Sequence, residues 1–250
     1  MIKSHVLTDD LVNYVNSICD RKQVQDNTYQ IYLVYVPNEI KACDTLQLSK
    51  LKARVLQPTS SDISNMYTNG FINMHLSNHW INMWFWKNVM QDKEQRDVLS
   101  ASENKTTDGY LWSIEYDVRI SGDPFDLFDA FIDNTTDLIY PMGNYNSDSH
   151  SYCLQYSGTK LRQFFLGYLQ ICRMSLRLLQ YLDEMFTIGE NGPDELIVFS
   201  LIQCSDFTSA NLKKYMSGVW TWNGLYSDYN RHWYRKSSRD GKCLIFHPVK

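Results

Sequence analysis

The chain is poor in glycine and proline, with 11 and 6 among its 250 residues. No two glycines stand two positions apart, so the Gly-x-Gly turn that lets a backbone approach a dinucleotide pyrophosphate is missing. There is also no GxxxxGK[ST] loop and no Gly-x-Ser-x-Gly elbow. Neither a Walker-type phosphate cradle nor the nucleophile turn of a serine hydrolase is encoded. No His-Glu-x-x-His occurs, and no cysteines stand at zinc-site spacing. These absences remove classes whose chemistry is announced by one local motif. They leave enzymes whose sites are assembled from distant residues.

No apolar run approaches the ~20 residues that cross a bilayer, so no membrane partner is expected. The opening Met-Ile-Lys-Ser-His runs straight into Thr8, Asp9 and Asp10, without the apolar stretch of a signal peptide. Cysteines at 19, 43, 153, 172, 204 and 243 are scattered, which predicts reduced thiols and a cytoplasmic protein. An excess of positive charge is lacking too. The formal net charge of −4 argues against a surface coated for polyanions, though it leaves room for a local basic patch.

Aromatic residues are abundant: 17 Tyr, 11 Phe and 7 Trp. Such side chains suit half-buried sheets and binding surfaces alike. Thr8 as cap, Asp9 and Asp10 in the first turn, and Leu11, Val12, Val15, Ile18 and Cys19 on one face predict a helix over 8–20. Residues 28–36 read as a strand ending at Pro37-Asn38, and 110–120 as another. Asp123 followed by Pro124 predicts a helix over 123–133. Apolar residues stepping by three and four from Leu161 to Phe186 predict one long helix over 159–186. Residues 194–203 read as an apolar strand, and 70–90 as a hairpin turning at Ser77-Asn78. Residues 55–66 read as a polar loop. Asn223-Gly224 and Asp240-Gly241 predict two hairpins in a C-terminal meander. The fold expected from these elements is α+β: a mostly antiparallel, aromatic-rich sheet packed against the 159–186 helix, with two shorter helices. One continuous domain over 1–250 is expected, with 91–108 as the place for an internal boundary.

Charge is segregated along the chain. Glu103 to Asp148 holds ten acidic and two basic residues, whereas Arg231 to Lys250 holds six basic and one acidic. The C-terminal set (Arg231, Trp233, Tyr234, Arg235, Lys236, Arg239 and Lys242) combines cations with rings, the pairing that grips single-stranded nucleic acid. An ordinary sheet with aromatics in the core and cations at the rim explains the same residues. Asp123 and Asp126, with Glu115 and Asp117 upstream, form an acidic cluster suited to a divalent cation. An amphipathic surface helix accounts for the spacing of Asp123 and Asp126 without chemistry. His75 and His79, four apart, would share a metal only on a helix. Arg173 and Arg177 could clamp a phosphate, or meet a structural acid from the acidic middle segment.

The functional expectation is a non-enzymatic binding or regulatory protein that recognises another macromolecule, with nucleic acid favoured through the C-terminal hairpin. The alternatives are a metal-dependent hydrolase or nuclease at the acidic cluster, and a structural or assembly subunit. No cofactor is predicted beyond the divalent metal of the acidic-cluster alternative. The sequence leaves the oligomeric state open.

Overall fold

The structure, a computed structural model, describes residues 1–22, 29–37, 42–67, 78–91, 109–146, 161, 165–220 and 226–249. In chain order its elements are β1 (Ile2–Ser4), α1 (Asp9–Lys22), β2 (Tyr32–Tyr35), α2 (Ala42–Ser49), β3 (Arg54–Leu56), α3 (Ser60–Ser64) and α4 (Asn78–Phe85). A wider turn at Trp86–Met90 prolongs α4. The chain continues through β4 (Tyr110–Glu115), β5 (Arg119–Ile120), α5 (Pro124–Asp129), β6 (Leu138–Tyr140), β7 (Gly143–Asn146), β8 (Phe165–Gly167) and β9 (Ile171–Ser175). It ends with α6 (Leu176–Thr187), α7 (Asp194–Gln203), β10 (Ser209–Asn211), α8 (Ser227–Arg239) and β11 (Ile245–Phe246).

The chain divides into two compact units. The first comprises Met1–Gln57, Ile114–Thr135 and Leu212–Lys250. Its strands are parallel, in the order β3-β2-β1-β4. Ile2, Lys3 and Ser4 face Leu33, Val34 and Tyr35 on one side, and Ile2 and Lys3 face Ile114 and Glu115 on the other. Both β1 and β2 are buried along their whole length. Strands covered on both faces need continuous apolar side chains, and Tyr32-Leu33-Val34-Tyr35 supplies them. Helices α1 and α2 make the crossovers from β1 to β2 and from β2 to β3. α1 starts where its cap predicts, with Thr8 Oγ1 accepting from the Leu11 amide at 3.2 Å. The periodic face of α1 is the buried one. The short antiparallel pair β5-β11 joins Ile120 to Ile245 and Arg119 to Phe246.

The second unit comprises Pro58–Ser113 and Thr136–Asn211. Its strand order is β10-β6-β9-β4, with β10 parallel and β9 antiparallel to β6. β7 and β8 form a separate antiparallel pair. Tyr67, His79, Trp80 and Phe186 pack ring on ring in its core.

Several expectations are corrected. The main sheet is mixed and mostly parallel rather than antiparallel, because α1 and α2 return the chain to the same edge each time. The single long helix is replaced, among the described residues, by β8, β9 and α6. Ser175 caps α6 by accepting from the Leu178 amide at 3.1 Å. A doubly buried strand is apolar at every spacing, so its residues also satisfy a helical pattern. Gly167 shows why β8 is a strand in close contact: a Cβ there would lie 2.2 Å from the Phe199 ring.

The converse error falls at 194–203, where the predicted strand is helix α7, buried from Leu196 through Ile202. Its start was written in Pro193, Asp194 and Glu195. The predicted C-terminal hairpin at Asp240-Gly241 is the end of α8, with Gly241 in the left-handed conformation (φ 66°) that commonly stops a helix. Asn78 opens α4 instead of turning a hairpin. The 55–66 stretch carries β3 and the capped helix α3, where Thr59 and Asp62 bond reciprocally. Residues 110–120 form two strands, β4 and β5. The Asn223-Gly224 turn, His75 and most of 91–108 lie outside the described residues.

Candidate metal centre

In the first unit β1 has β2 on one side and β4 on the other, so the strand order reverses between β1 and β4. Open parallel sheets bind ligands beyond the carboxyl ends of their strands at such a reversal. β4 ends there at Glu115, and the chain turns through Tyr116 and Asp117, with the Val118 amide donating to the Glu115 carbonyl at 3.0 Å.

The third member comes from the far end of the chain. β11 pairs with β5 immediately after the turn, and the Val249 amide donates to the Asp117 carbonyl at 2.8 Å. This delivers His247. One ligand atom each from Glu115, Asp117 and His247 lie within 4.8 Å of one another. His247 Nε2 stands 3.5 Å from Asp117 Oδ1, and both side chains are buried.

The surroundings fix these groups. Asn230 of α8, fully buried, donates from Nδ2 to the carbonyls of His247 at 3.0 Å, Pro248 at 3.2 Å and Val219 at 2.9 Å. Its Oδ1 accepts from the Val219 amide at 2.9 Å. The backbone passes so close that a Cβ at Gly218 would lie 2.3 Å from that oxygen. The Trp220 ring flanks the His247 imidazole at 5.4 Å between centroids. Beyond the turn, Arg119 donates to Asp10 at 2.7 Å and to the Tyr116 carbonyl at 2.5 Å, which pins the loop to α1. The Tyr116 ring meets His5 edge-on at 4.7 Å. Burial, and then the Asp117 and Glu115 carboxylates, push the Tyr116 hydroxyl up to about 12, so it stays a donor at neutral pH.

Two carboxylates that converge in this way place like charges near one another, with an imidazole beside them. A hard divalent cation such as Mg²⁺ or Mn²⁺ takes oxygen ligands with an occasional imidazole nitrogen, so the donor set fits one. Thiol chemistry does not fit here: burial, the largest effect, with Asp126 and Asp123 adding to it, pushes Cys243 up to about 11.

The structure distributes the sequence candidates unevenly. Glu115 and Asp117 come together; Asp123 and Asp126 do not join them. Asp123 caps α5 by accepting from the Phe125 amide at 3.0 Å and faces Arg21 at 3.9 Å, and Asp126 is exposed. Arg231, Trp233, Tyr234, Arg235, Lys236 and Arg239 lie on α8, and Lys242 follows it. Trp233 is flanked by Tyr229 and His232 with Lys236 Nζ 4.7 Å above its ring, Arg231 lies 3.8 Å from Asp228, and Tyr234 packs on Phe246. Arg235, Arg239 and Lys242 are exposed. Arg177 meets a structural acid, Asp137, at 2.6 Å. His247 had no signal in the sequence beyond its chemistry. The Glu-Tyr-Asp at the end of a strand was the legible half of the centre.

No protein-family model and no curated protein sequence matches the chain. Among solved structures it is similar to a core-mannan synthase from Aspergillus fumigatus in its Mn/GDP form, at 12% identity and a TM-score of 0.38, over 84% of this chain and 72% of that one. It is similar to a putative glucose-1-phosphate thymidylyltransferase from Bacillus anthracis in complex with sucrose, at 8% identity and a TM-score of 0.40, over 93% and 82%. Mouse xyloside xylosyltransferase 1, in its apo form, is similar at 13% identity and a TM-score of 0.40, over 86% and 83%.

The expectation of a non-enzymatic, nucleic-acid-recognising or regulatory protein with a macromolecular partner rested on a C-terminal hairpin and is corrected. The hairpin that was to present cations and rings is a helix, which turns successive side chains by about 100°. The hydrolase or nuclease and assembly-subunit alternatives are not retained. Among the described residues no helix is long and apolar enough to cross a membrane.

Proposed function

We propose that the chain is a divalent-cation-dependent transferase acting on a nucleoside-diphosphate-linked donor, with a sugar as the group transferred. The observation that carries this reading is the convergence of Glu115, Asp117 and His247 at the strand-order reversal. The cation would be held by these three side chains, and when bound it would neutralise charge on the donor's diphosphate. Asn230 and Trp220 keep the imidazole in place, and the Val249–Asp117 hydrogen bond keeps the two chain segments in register. In the reaction the bond between the sugar's anomeric carbon and the diphosphate oxygen breaks. A bond forms to an acceptor hydroxyl oxygen, that hydroxyl's proton passes to solvent, and the nucleoside diphosphate leaves. Sugar transfer is the chemistry in the names of the mannan synthase and the xylosyltransferase, and it sets the first donors to try. A reducing, cytoplasmic setting suits the thiols of Cys19, Cys172, Cys204 and Cys243, which form no disulfide.

The test is Mn²⁺ titration by calorimetry of the wild type, Asp117→Asn and His247→Ala, followed by assay of nucleoside-diphosphate release from a panel of GDP-, UDP- and dTDP-linked sugars. Wild-type Mn²⁺ binding weakened by about 10–100-fold or more in both variants is expected. Equal binding in all three proteins would sink the reading.

A further inference from the structure

Lys3 lies in the middle of β1, is 2% exposed, and its ammonium has no hydrogen-bond partner among the described residues. Removing a full charge from water without a partner costs several kcal/mol, and native proteins rarely leave a lysine so. The register shows what it stands beside. Lys3 is level with Val34 on β2 and with Glu115 on β4. Residues in register on neighbouring strands, about 4.8 Å apart, send their side chains to the same face of a sheet. Lys3 therefore leaves β1 on the face from which Glu115 enters the metal triad, and Nζ makes no hydrogen bond to Glu115.

We infer that Lys3 is a binding residue for the anionic group of the ligand: it donates to a diphosphate oxygen on the face where the triad holds the cation. The inference rests on the metal-centre reading and adds to it a side chain that would meet the diphosphate beside the cation. A diphosphate suits this pair, since it offers oxygens to a cation on one side and to an ammonium on the other. Lysine suits the task because its charge rides on a flexible four-carbon stem. In the absence of ligand the same charge is a liability to folding, and this separates a ligand-binding lysine from a structural one.

The experiment uses the full chain with Mn²⁺ and inorganic pyrophosphate as probes, comparing wild type, Lys3→Met and Lys3→Gln. Lys3→Met is expected to keep Mn²⁺ affinity within about twofold and to lose pyrophosphate affinity by at least about tenfold, the worth of one charge-assisted hydrogen bond. Its ligand-free melting temperature is expected to rise, and the upward shift produced by pyrophosphate to disappear. Lys3→Gln, which removes the charge and shortens the stem but keeps a polar end, covers the case in which the methionine does not fold, and the same loss of pyrophosphate affinity is expected of it. Unchanged pyrophosphate affinity alongside intact Mn²⁺ binding overturns the role of Lys3 and leaves the metal centre standing. Lack of Mn²⁺ binding in the wild type defeats the metal centre, and pyrophosphate protection that still depends on Lys3 would then support this inference alone. Binding of neither probe overturns both.

Discussion

Each unit of the molecule buries an aspartate next to a basic side chain, and the two sites are built in opposite ways. In the second unit Asp137, 3% exposed, is ringed by donors. Arg177 donates from Nε at 3.2 Å and Nη2 at 2.6 Å, Ser175 Oγ at 2.8 Å, and Thr208 from its amide at 3.0 Å and its hydroxyl at 3.1 Å. Burial, the largest single effect, pushes the Asp137 carboxyl up. The hydrogen bonds from Arg177, Thr208 and Ser175 together outweigh it and hold the carboxyl below its ordinary value. In the first unit Asp117 converges on a second carboxylate, Glu115, and on the imidazole of His247. An acid surrounded by donors serves the fold. Two acids turned toward each other beside an imidazole are a donor set that a cation would fit.

The largest expected effect on stability separates the two. Asp137→Asn should cost about 3 kcal/mol in urea unfolding, because donors in a buried network lose their acceptor. Asp117→Asn should stay within about 1 kcal/mol, since it removes one of two facing like charges. Comparable losses at both positions would erase the contrast. The pH dependence sharpens it. Because the folded carboxyl of Asp137 lies below its ordinary value of 3.8, its contribution is present above that value and is lost as pH falls through the folded value. The gap in melting temperature between wild type and Asp137→Asn should therefore narrow as pH is lowered below 3.8. A gap that widens toward acid would contradict the assignment.

Asn230→Ala comes next. It strands the Val219 amide and the carbonyls of Val219, His247 and Pro248 in a buried place, and about 2 kcal/mol of stability should go with it. Mn²⁺ affinity, measured below the melting transition, should also fall, because the imidazole loses the clip that positions its backbone. Loss of stability with unchanged Mn²⁺ affinity would make Asn230 a purely structural residue. The smallest effect belongs to the surface of α8. Trp233→Ala should shift stability by about 0.5 kcal/mol or less and leave Mn²⁺ affinity alone.

How far the sequence disclosed this molecule depends on the kind of signal. Helix caps were legible because they are chemistry at a fixed offset: Thr8 before α1 and Asp123-Pro124 before α5 act as read. Apolar runs were not, because burial on all sides erases periodicity. Residues 165–175 therefore passed for helix and 194–203 for strand, with the true identities set by what packs on them, as the Gly167–Phe199 contact shows. Asp240-Gly241 was a correct stop signal assigned to the wrong element. At the candidate metal centre, Glu115 and Asp117 stood out as acids near the end of a strand. His247 could not be joined to them, since their meeting depends on the β5-β11 pairing, a long-range event without a local trace.

That pairing also sets a clock on the centre. The two carboxylates are synthesised near the middle of the chain and must wait for β11 to emerge from the ribosome before an imidazole can join them. A polypeptide without β11 would hold the two carboxylates without their imidazole, so cation capture would report that the β5-β11 pairing has formed.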